Sequence, residues 1–346
     1  MNTDHGRIAR SIVATGAVAL ALALPLAGAQ AQQTYEMKIS TPTIHDIPDT
    51  YAQNFLAAVE KDSGGRIKGQ VYPASQLGSI PRQIEGTQFG SIQCEVVPPE
   101  FMSGLDDRFG VMAAPGLVDS QQLGQRVAAD PAVLKLMLSL GADKGLHGAA
   151  LFMAETSIVV TRVPLRTLAD FKGKKLRIFA SKFQSMGLER LGATAVAMSL
   201  GDVLPAIQQG AIDGAITGMG PVAHMHFVDA AKYVTMTNQP AIFIIVEINK
   251  KWYESLPKDL QQIIDKDAKE QSVAINPIAI SIRKQSDDSY SASGGELIKL
   301  PPDQQATLMK TLASVGIDVS QSNPALAAAY KIVTDAAART RQAPSQ

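Results

Sequence analysis

The chain has 346 residues, of which 46% are apolar and 18% are charged, so it is long and apolar enough for a folded protein of two domains. These values exclude a disordered chain and a fibrous repeat. Lys plus Arg and Asp plus Glu both number 32, and no basic run stands out, which argues against nucleic acid or an anionic membrane surface as a partner. The single cysteine, Cys94, excludes an intramolecular disulfide and a zinc site built of thiolates. We expect Cys94 to be a small buried apolar residue.

The first 31 residues have the pattern of a cleavable secretory signal peptide. Arg7 and Arg10 precede an apolar stretch over residues 12–24, and Ala29 and Ala31 supply the small side chains that a signal peptidase reads. A transmembrane helix needs about 20 apolar residues, which is more than this stretch contains. We therefore expect export to the periplasm and a mature chain that is not inserted in the membrane.

Short β-branched runs then alternate with amphipathic helical stretches. Tyr51, Phe55 and Val59 recur at helical spacing before Gly64, and Asp130 precedes a further helix as its N-cap. Such alternation predicts an α/β protein with mainly parallel sheet, and two sheets rather than one. The predicted strands are residues 35–40, 67–71, 92–97, 157–161, 175–179, 195–198, 211–217, 233–237 and 241–246.

A long helical pattern runs from Pro257 to about Tyr290 and contains Pro277. About thirty residues at 1.5 Å each would reach about 45 Å, so this helix could brace two domains and bend at the proline. Two further helices are predicted over residues 302–315 and 324–339, and we expect the polar end from Arg341 to be frayed.

Catalytic and metal-binding patterns are scarce. His224 and His226 lie near Asp229, but histidines separated by one residue point the same way only on a strand, and this segment looks helical. Cys94 sits in an apolar run without a histidine beside it, which argues against a nucleophile. The motifs G-x-S-x-G, H-E-x-x-H and G-x-x-x-x-G-K-[ST] are absent from the sequence. We expect no metal, no cofactor and no enzymatic activity.

One segment carries more information than the rest. Residues 168–214 read LADFKGKKLRIFASKFQSMGLERLGATAVAMSLGDVLPAIQQGAIDG, and residues 70–79 read QVYPASQLGS. Together they resemble the DctP-type solute-binding proteins of tripartite ATP-independent periplasmic (TRAP) transporters. The similarity extends over nearly the whole mature chain, through KYVTMTNQP and KKWYESLPKDLQQII.

The resemblance implies a two-lobed periplasmic-binding-protein clamshell, similar to type II, joined by crossing strands and a long bracing helix. Its lobes would be discontinuous: residues 34–154 plus 243–282 form lobe I, residues 155–242 plus 283–336 form lobe II, and residues 337–346 are a frayed tail. It also implies a monomer that captures a small carboxylate by lobe closure and delivers it to the membrane permease. A secreted enzyme acting on a small carboxylic acid, or a ligand-sensing subunit of a signalling receptor, remains an alternative.

In that family, an arginine of the strand motif forms a salt bridge with the ligand carboxylate, and the matching residue is Arg177. The residues themselves make this plausible, since Arg177 lies between Leu176 and Ile178 on a short strand and projects to the opposite face. A guanidinium can hold a carboxylate through two parallel hydrogen bonds. The alternatives are a surface arginine, or one paired with Glu155 or Asp213.

Departures from the family pattern bear on the ligand. Thr217 stands where the family commonly has a ligand-binding asparagine, and Ser157, close to Glu155, stands where many members have a second arginine. Phe179 replaces a frequent proline and adds an aromatic wall. Fewer charged donors and more apolar surface predict a monocarboxylate with an apolar or hydroxylated body.

Lobe I is expected to contribute residues at the carboxyl ends of its strands. Thr41, His45 and Asp46 follow the first strand, and Pro98 to Glu100 follow the third. Trp252 is expected to pack between helix and sheet. The predicted ligand-binding residues are Arg177, Thr217, Phe179, Ser157, Glu155, His45, Thr41 and Pro98.

Overall fold

The computed structural model describes residues 33–342. The predicted signal peptide, residues 1–31, lies outside these residues, as do the last four residues of the predicted tail. Within the described part, two β-sheets are flanked by helices, as the alternating pattern predicts.

The first sheet has five strands in the order β2-β1-β3-β10-β4. Strand β1 is parallel to β2 and β3, whereas β10 runs antiparallel to β3 and β4. Its strands are β1 (Tyr35–Ser40), β2 (Ile67–Tyr72), β3 (Cys94–Val97), β4 (Leu146–Thr156) and β10 (Ala241–Asn249).

The second sheet has six strands in the order β11-β9-β5-β8-β6-β7. Strand β5 is antiparallel to both neighbours and the other pairs are parallel. Both sheets are therefore mixed, with five parallel and four antiparallel strand pairs among the described residues, so parallel pairing prevails by less than we predicted. The strands of the second sheet are β5 (Ile158–Thr161), β6 (Lys175–Ile178), β7 (Thr194–Ala197), β8 (Gly214–Thr217), β9 (Tyr233–Met236) and β11 (Glu296–Lys299).

Two chain segments cross from one sheet to the other. Only Ser157 separates β4 from β5, and four residues separate β9 from β10. The crossing strands that the resemblance implied are therefore present, and they account for the antiparallel pairs. We call the part built on the first sheet lobe I and the part built on the second sheet lobe II.

The helices cover the faces of both sheets. In α1, Asp46 is the N-cap, and its carboxylate accepts the N–H of Asp49, while Asp130 caps α4 in the same way, as predicted. The helices are α1 (Ile47–Asp62), α2 (Ile80–Phe89), α3 (Gln121–Ala128), α4 (Pro131–Ser139), α5 (Lys182–Arg190), α6 (Val203–Gln208), α7 (Met219–His224), α8 (Lys250–Ser255), α9 (Lys258–Ala292), α10 (Pro302–Leu312), α11 (Val315–Ser320) and α12 (Pro324–Gln342).

Helix α9 braces the two lobes. It contains 35 residues with Pro277 inside, and it packs against α1 and β4 of lobe I and against α7 and β11 of lobe II. Two tyrosine hydroxyls link this helix to the lobes by hydrogen bonds. Tyr51 on α1 donates to the carbonyl of Ala268 in α9, and Tyr290 in α9 donates to the carbonyl of Ala231 in lobe II. The long bracing helix is confirmed.

Helix α12 differs from the expectation in two ways. It packs against α3 and α4 of lobe I, where Arg339 pairs with Asp130, although we had placed it with lobe II. It also continues to Gln342, and Arg341 donates to the carbonyl of Leu117, so residues 337–342 are helical rather than frayed.

Cys94 is fully buried and free, as expected, and burial raises the pKa of its thiol. Trp252 on α8 is partly buried and packs against the hydrophobic core of lobe I, where α8 contacts β10 and β4. Among the described helices, none combines the length and the apolar character that a membrane span requires.

Candidate functional site

A cavity that is partly open to solvent lies between the lobes; the space unfilled by protein atoms is about 450 Å³ when the open solvent at its mouth is included. Lobe I supplies its wall from the residues that follow β1 and β3 and from β10, and lobe II supplies its wall from the ends of β6 and β8. Most of the surface is apolar. The apolar residues include Pro42, Ile80, Pro98, Leu200, Ile242 and Ile244, and the polar ones are Thr43, Asp46, Glu155, Arg177 and Thr217.

Arg177 is the cationic group of this cavity, and its side chain is held rigidly. Its Nε donates to the carbonyl of Met198 at 3.0 Å, and Nη1 donates to the carbonyl of Ile216 at 3.2 Å. The guanidinium carbon lies 4.7 Å from the ring centroid of Phe179 and 5.7 Å from that of Phe101. Nη2 has no hydrogen-bond partner within residues 33–342. The group is therefore fixed in direction, with one nitrogen left to bind something else.

The alternatives for Arg177 do not occur. The residue is 1% exposed, so it is not a surface arginine. No carboxylate of the described residues lies within ion-pair distance of it: Glu155 pairs with Arg283, and Asp213 accepts a backbone N–H of β6. Burial lowers the pKa of Arg177 to about 9, an effect that the nearby Glu100 opposes.

Glu100 follows β3 in a short helical turn and is completely buried. Burial raises the pKa of its carboxyl to about 8, with the positive charge of Arg177 acting in the other direction. Burial thus favours the protonated form of this carboxyl, and within residues 33–342 it makes no ion pair with Arg177.

Thr217 and Phe179 lie beside Arg177 because of the register of the sheet. Strands β6 and β8 are parallel, and Arg177 is opposite Ala215, so Thr217 is on the same face and one step nearer the carboxyl edge. Phe179 occupies the corresponding step after β6. The carboxyl ends of these two strands form the lobe II wall of the cavity.

Glu155 lies near the end of the crossing strand β4 and is 5% exposed. Its Oε2 accepts the N–H of Met219 at 2.9 Å and pairs with Nη1 of Arg283 on α9 at 3.1 Å, while Oε1 accepts the N–H of Gly220 at 3.4 Å. Burial raises the pKa of this carboxyl, and Arg283 opposes the shift. Both oxygens are engaged, so Glu155 joins a crossing strand, α7 and α9 rather than offering a free charge.

Asp46 is the lobe I acid of the cavity and is 2% exposed. Its Oδ1 accepts the hydroxyl of Thr43 at 2.8 Å and the N–H of Asp49 at 3.2 Å. Burial raises the pKa of Asp46 to about 8, and the negative charge of Glu155 raises it further, against the effect of these two hydrogen bonds.

The structure brings together five of the eight predicted residues. Arg177, Phe179, Thr217, Glu155 and Pro98 line the cavity.

The other three do not line the cavity. Thr41 and Ser157 are fully buried, and their hydroxyls have no partner among the described residues. His45 is exposed, with a φ of 55° that turns it away while Asp46 folds inward as the cap of α1; its ring lies 6.2 Å from that of His224.

Sequence reasoning did not find Arg283 and left Asp46 out of the predicted set. Arg283 lies 128 positions from Glu155 along the chain, and nothing in the helical pattern of α9 marks it. For Asp46 the signal was present, because an aspartate that precedes an amphipathic helix is an N-cap, and the cap orients its carboxylate.

Groups of three or more metal-ligating side chains are not found within residues 33–342. Helix α7 ends at His224, and His226 follows in a left-handed conformation, so the two histidines are not neighbours on one strand.

The chain matches the family model of the bacterial extracellular solute-binding proteins, family 7, over residues 42–320. The C4-dicarboxylate-binding periplasmic protein DctP of Rhodobacter capsulatus is 28% identical over 278 residues, which are 79% of this chain and 81% of that protein. The ectoine/5-hydroxyectoine-binding periplasmic protein UehA of Ruegeria pomeroyi is 25% identical over 305 residues, 87% of each.

Among solved structures, a TRAP periplasmic solute-binding protein from Desulfovibrio salexigens with bound orotic acid matches with a TM-score of 0.83 and 22% identity, covering 89% of this chain and 100% of that one. The two-lobed α/β fold is thereby confirmed, and so is the resemblance noted in the sequence. The chain belongs to the bacterial extracellular solute-binding proteins of family 7.

Proposed function

We propose that this protein is the periplasmic subunit of a TRAP transporter, which captures a small monocarboxylate in the cavity between its lobes and delivers it to the membrane permease. The observation that carries this proposal is the buried guanidinium of Arg177, which lines the cavity without a carboxylate partner. A buried charge that is left unpaired is costly, so its retention calls for an anionic ligand.

The geometry of Arg177 suits a carboxylate. Nη2 is free, and Nη1 has a second N–H besides the one given to Ile216. Two parallel hydrogen bonds from these nitrogens would fix both the position and the direction of the anion. The low dielectric of a closed cleft would strengthen the ion pair.

The remaining surface supports a ligand with one carboxylate. The apolar wall suits an apolar or hydroxylated body, and the hydroxyl of Thr217 can bind a ligand hydroxyl. A second carboxylate would find no further cationic side chain among the described residues that line the cavity, where Arg177 is the basic one. The relatives bear names that indicate different ligands, a C4-dicarboxylate and ectoine, so the family alone does not determine the ligand of this chain.

Capture by closure accounts for the position of the cavity. A ligand first bound by Arg177 of lobe II would draw in lobe I by bending at the crossing segments, Ser157 and residues 237–240. The permease would then recognise the closed form, whose surface reports that a ligand is bound.

The test begins with a thermal-shift screen of monocarboxylates, hydroxy acids, aromatic acids and dicarboxylates, because a ligand in hundredfold excess over its Kd stabilises by about 2.7 kcal/mol. Calorimetry then measures the affinity of the best ligand for the wild type, for Arg177→Ala and for Arg177→Lys. Leaving the carboxylate unpaired should cost about 2–5 kcal/mol, which is roughly thirtyfold or more in affinity.

Lysine keeps the charge but not the planar fork, so Arg177→Lys should recover only part of the loss. Arg190→Ala is the matched control, since Arg190 pairs with Asp318 on the surface. Near-normal binding by folded Arg177→Ala would remove Arg177 from the site, and stabilisation by dicarboxylates alone would contradict the ligand class.

A further inference from the structure

The cavity has an acidic end as well as a basic one. Asp46 lines it from lobe I and Arg177 lines it from lobe II. Within residues 33–342, no lysine, arginine or histidine lies within ion-pair distance of the Asp46 carboxylate. The cleft therefore has mostly apolar walls, with an acidic side chain on the lobe I wall and a basic one on the lobe II wall.

One oxygen of Asp46 is available to a ligand. The hydrogen bonds from Thr43 and from the backbone of Asp49 both end on Oδ1. Oδ2 has no hydrogen-bond partner in the described part of the chain. It faces the α7 side of the cleft, since a Cβ added at Gly220 would lie 3.3 Å from it.

Glu155, the other acid of the cavity, is different. Its two oxygens are occupied by two backbone N–H groups and by Arg283, so its charge is already compensated. Asp46 is thus the acid of this cavity that keeps one carboxyl oxygen without a partner in the described part of the chain, and a ligand that binds between the lobes can supply that partner.

We propose that the ligand is a zwitterion, with a carboxylate held by Arg177 and a protonated nitrogen that donates to Oδ2 of Asp46. This inference rests on the proposed function, because it takes Arg177 as the carboxylate anchor. It narrows the ligand from a monocarboxylate in general to one with a cationic nitrogen on an otherwise apolar body. A buried carboxyl rejects a ligand that lacks the matching donor, because the carboxyl is then left without a partner.

The pH dependence is consistent with this assignment. Burial raises the pKa of Asp46 to about 8, so accepting a cation requires the loss of a proton at neutral pH. Affinity for a zwitterion should then rise up to about tenfold per pH unit as the pH approaches 8, and level off above it. The charged groups that act on Asp46 are Glu155 on β4 and Asp49 on α1, both of which raise its pKa. His45 precedes Asp46 in the loop and is exposed, and its ring lies 6.2 Å from that of His224 on α7.

The test uses pairs of probes that differ in the nitrogen alone: pipecolate with cyclohexanecarboxylate, and 4-aminobutanoate with pentanoate. Calorimetry compares the wild-type protein with Asp46→Asn. Asparagine caps a helix as well as aspartate does, so α1 should remain intact. Asp49→Asn is the matched control, because Asp49 lies in the same helical turn but does not line the cavity.

The wild type should bind the zwitterion of at least one pair tenfold or more tightly than its apolar partner, and Asp46→Asn should remove that preference while Asp49→Asn keeps it.

Three results would overturn the proposal: a preference for the apolar members, equal binding within both pairs, or a preference that survives in Asp46→Asn. Those results leave the proposed function standing if Arg177→Lys still weakens binding of the apolar acids. If the wild type binds none of the probes while other monocarboxylates stabilise it, the zwitterion assignment fails alone; if no carboxylate binds, the proposed function fails first.

Discussion

The guanidinium of Arg177 lies 4.7 Å from the ring centroid of Phe179, two residues further along the same chain segment. Both side chains project to the same face because strand residues alternate, and the ring shields the charge from water. A cation over an aromatic face contributes about 0.5–2 kcal/mol.

Phe179→Leu should therefore weaken carboxylate binding by roughly two- to thirtyfold, because it removes this contact but keeps an apolar wall. Calorimetry on the folded variant measures the change. Phe171→Leu is the matched control: Phe171 is buried in a separate core cluster of lobe II, so this change should lower stability and leave affinity unaltered. Unchanged affinity in Phe179→Leu would show that the ring does not support the anion site.

Gly220→Ala should hinder the approach of the lobes. A Cβ at Gly220 would lie 2.5 Å from Cβ of Asp46, a contact that requires the backbone to move. Overpacking of this kind costs about 1–3 kcal/mol, so affinity should fall roughly five- to hundredfold while each lobe stays folded. Small-angle scattering with saturating ligand should give a larger radius of gyration than the wild type gives.

Gly201→Ala is the control, since a Cβ at Gly201 meets nothing within 4 Å. Wild-type affinity in Gly220→Ala would show that ligand binding does not need the close contact between α7 and the start of α1.

Glu155→Gln should destabilise the protein, because Arg283 loses its buried carboxylate partner and keeps only the more exposed pair with Asp287. Breaking a buried ion pair costs about 3–5 kcal/mol, and since the side chain of Arg283 is 17% exposed we expect a smaller loss, about 2–3 kcal/mol. Denaturant unfolding provides the measurement. Lys284→Ala, which breaks the exposed pair with Asp288 on the same helix, should have no measurable effect, and equal losses in the two variants would refute the role of Glu155.

The burial of Glu95 and Glu247 should make the protein less stable as the pH rises. They are opposite each other on β3 and β10, both are completely buried, and Ser40 donates a hydrogen bond to Glu95. Burial raises the pKa of Glu95 to about 8 and raises that of Glu247 as well, from an ordinary value of 4.5. The folded protein thus keeps protons that the unfolded chain releases, so stability falls as the pH rises from about 4.5 through 8.

The melting temperature should fall between pH 6 and pH 8.5, and less steeply in the double variant Glu95→Gln, Glu247→Gln. Glutamine has no proton to lose, so the part of the slope that remains comes from Asp46 and Glu100, which titrate in the same range. Identical slopes in the two proteins would show that these glutamates are not protonated in the fold.

The sequence predicts the parts of the fold that have a strong local pattern. β-branched runs located nine of the eleven strands, and the length of the apolar stripe located α9. Strand β4 was missed because it contains Gly148, Ala149 and Ala150, which have little β propensity, and β11 was missed because its four residues lie between helices.

The candidate site likewise contains residues that could be predicted from the sequence and residues that could not. Arg177 was predicted from the strand motif that resembles the family's; its apolar neighbours on a short strand made that role plausible but left a surface or ion-paired arginine open. The pairing of Glu155 with Arg283 joins distant parts of the chain and could not be read from periodicity. The inward turn of Asp46 could have been inferred from its position as the N-cap of an amphipathic helix.

A crystal structure with the tightest-binding carboxylate tests the central claim most directly. We predict that the carboxylate oxygens lie about 2.7–2.9 Å from Nη1 and Nη2 of Arg177, between the two lobes. A carboxylate bound elsewhere, or one in the cavity that makes no hydrogen bond with Arg177, would contradict the account.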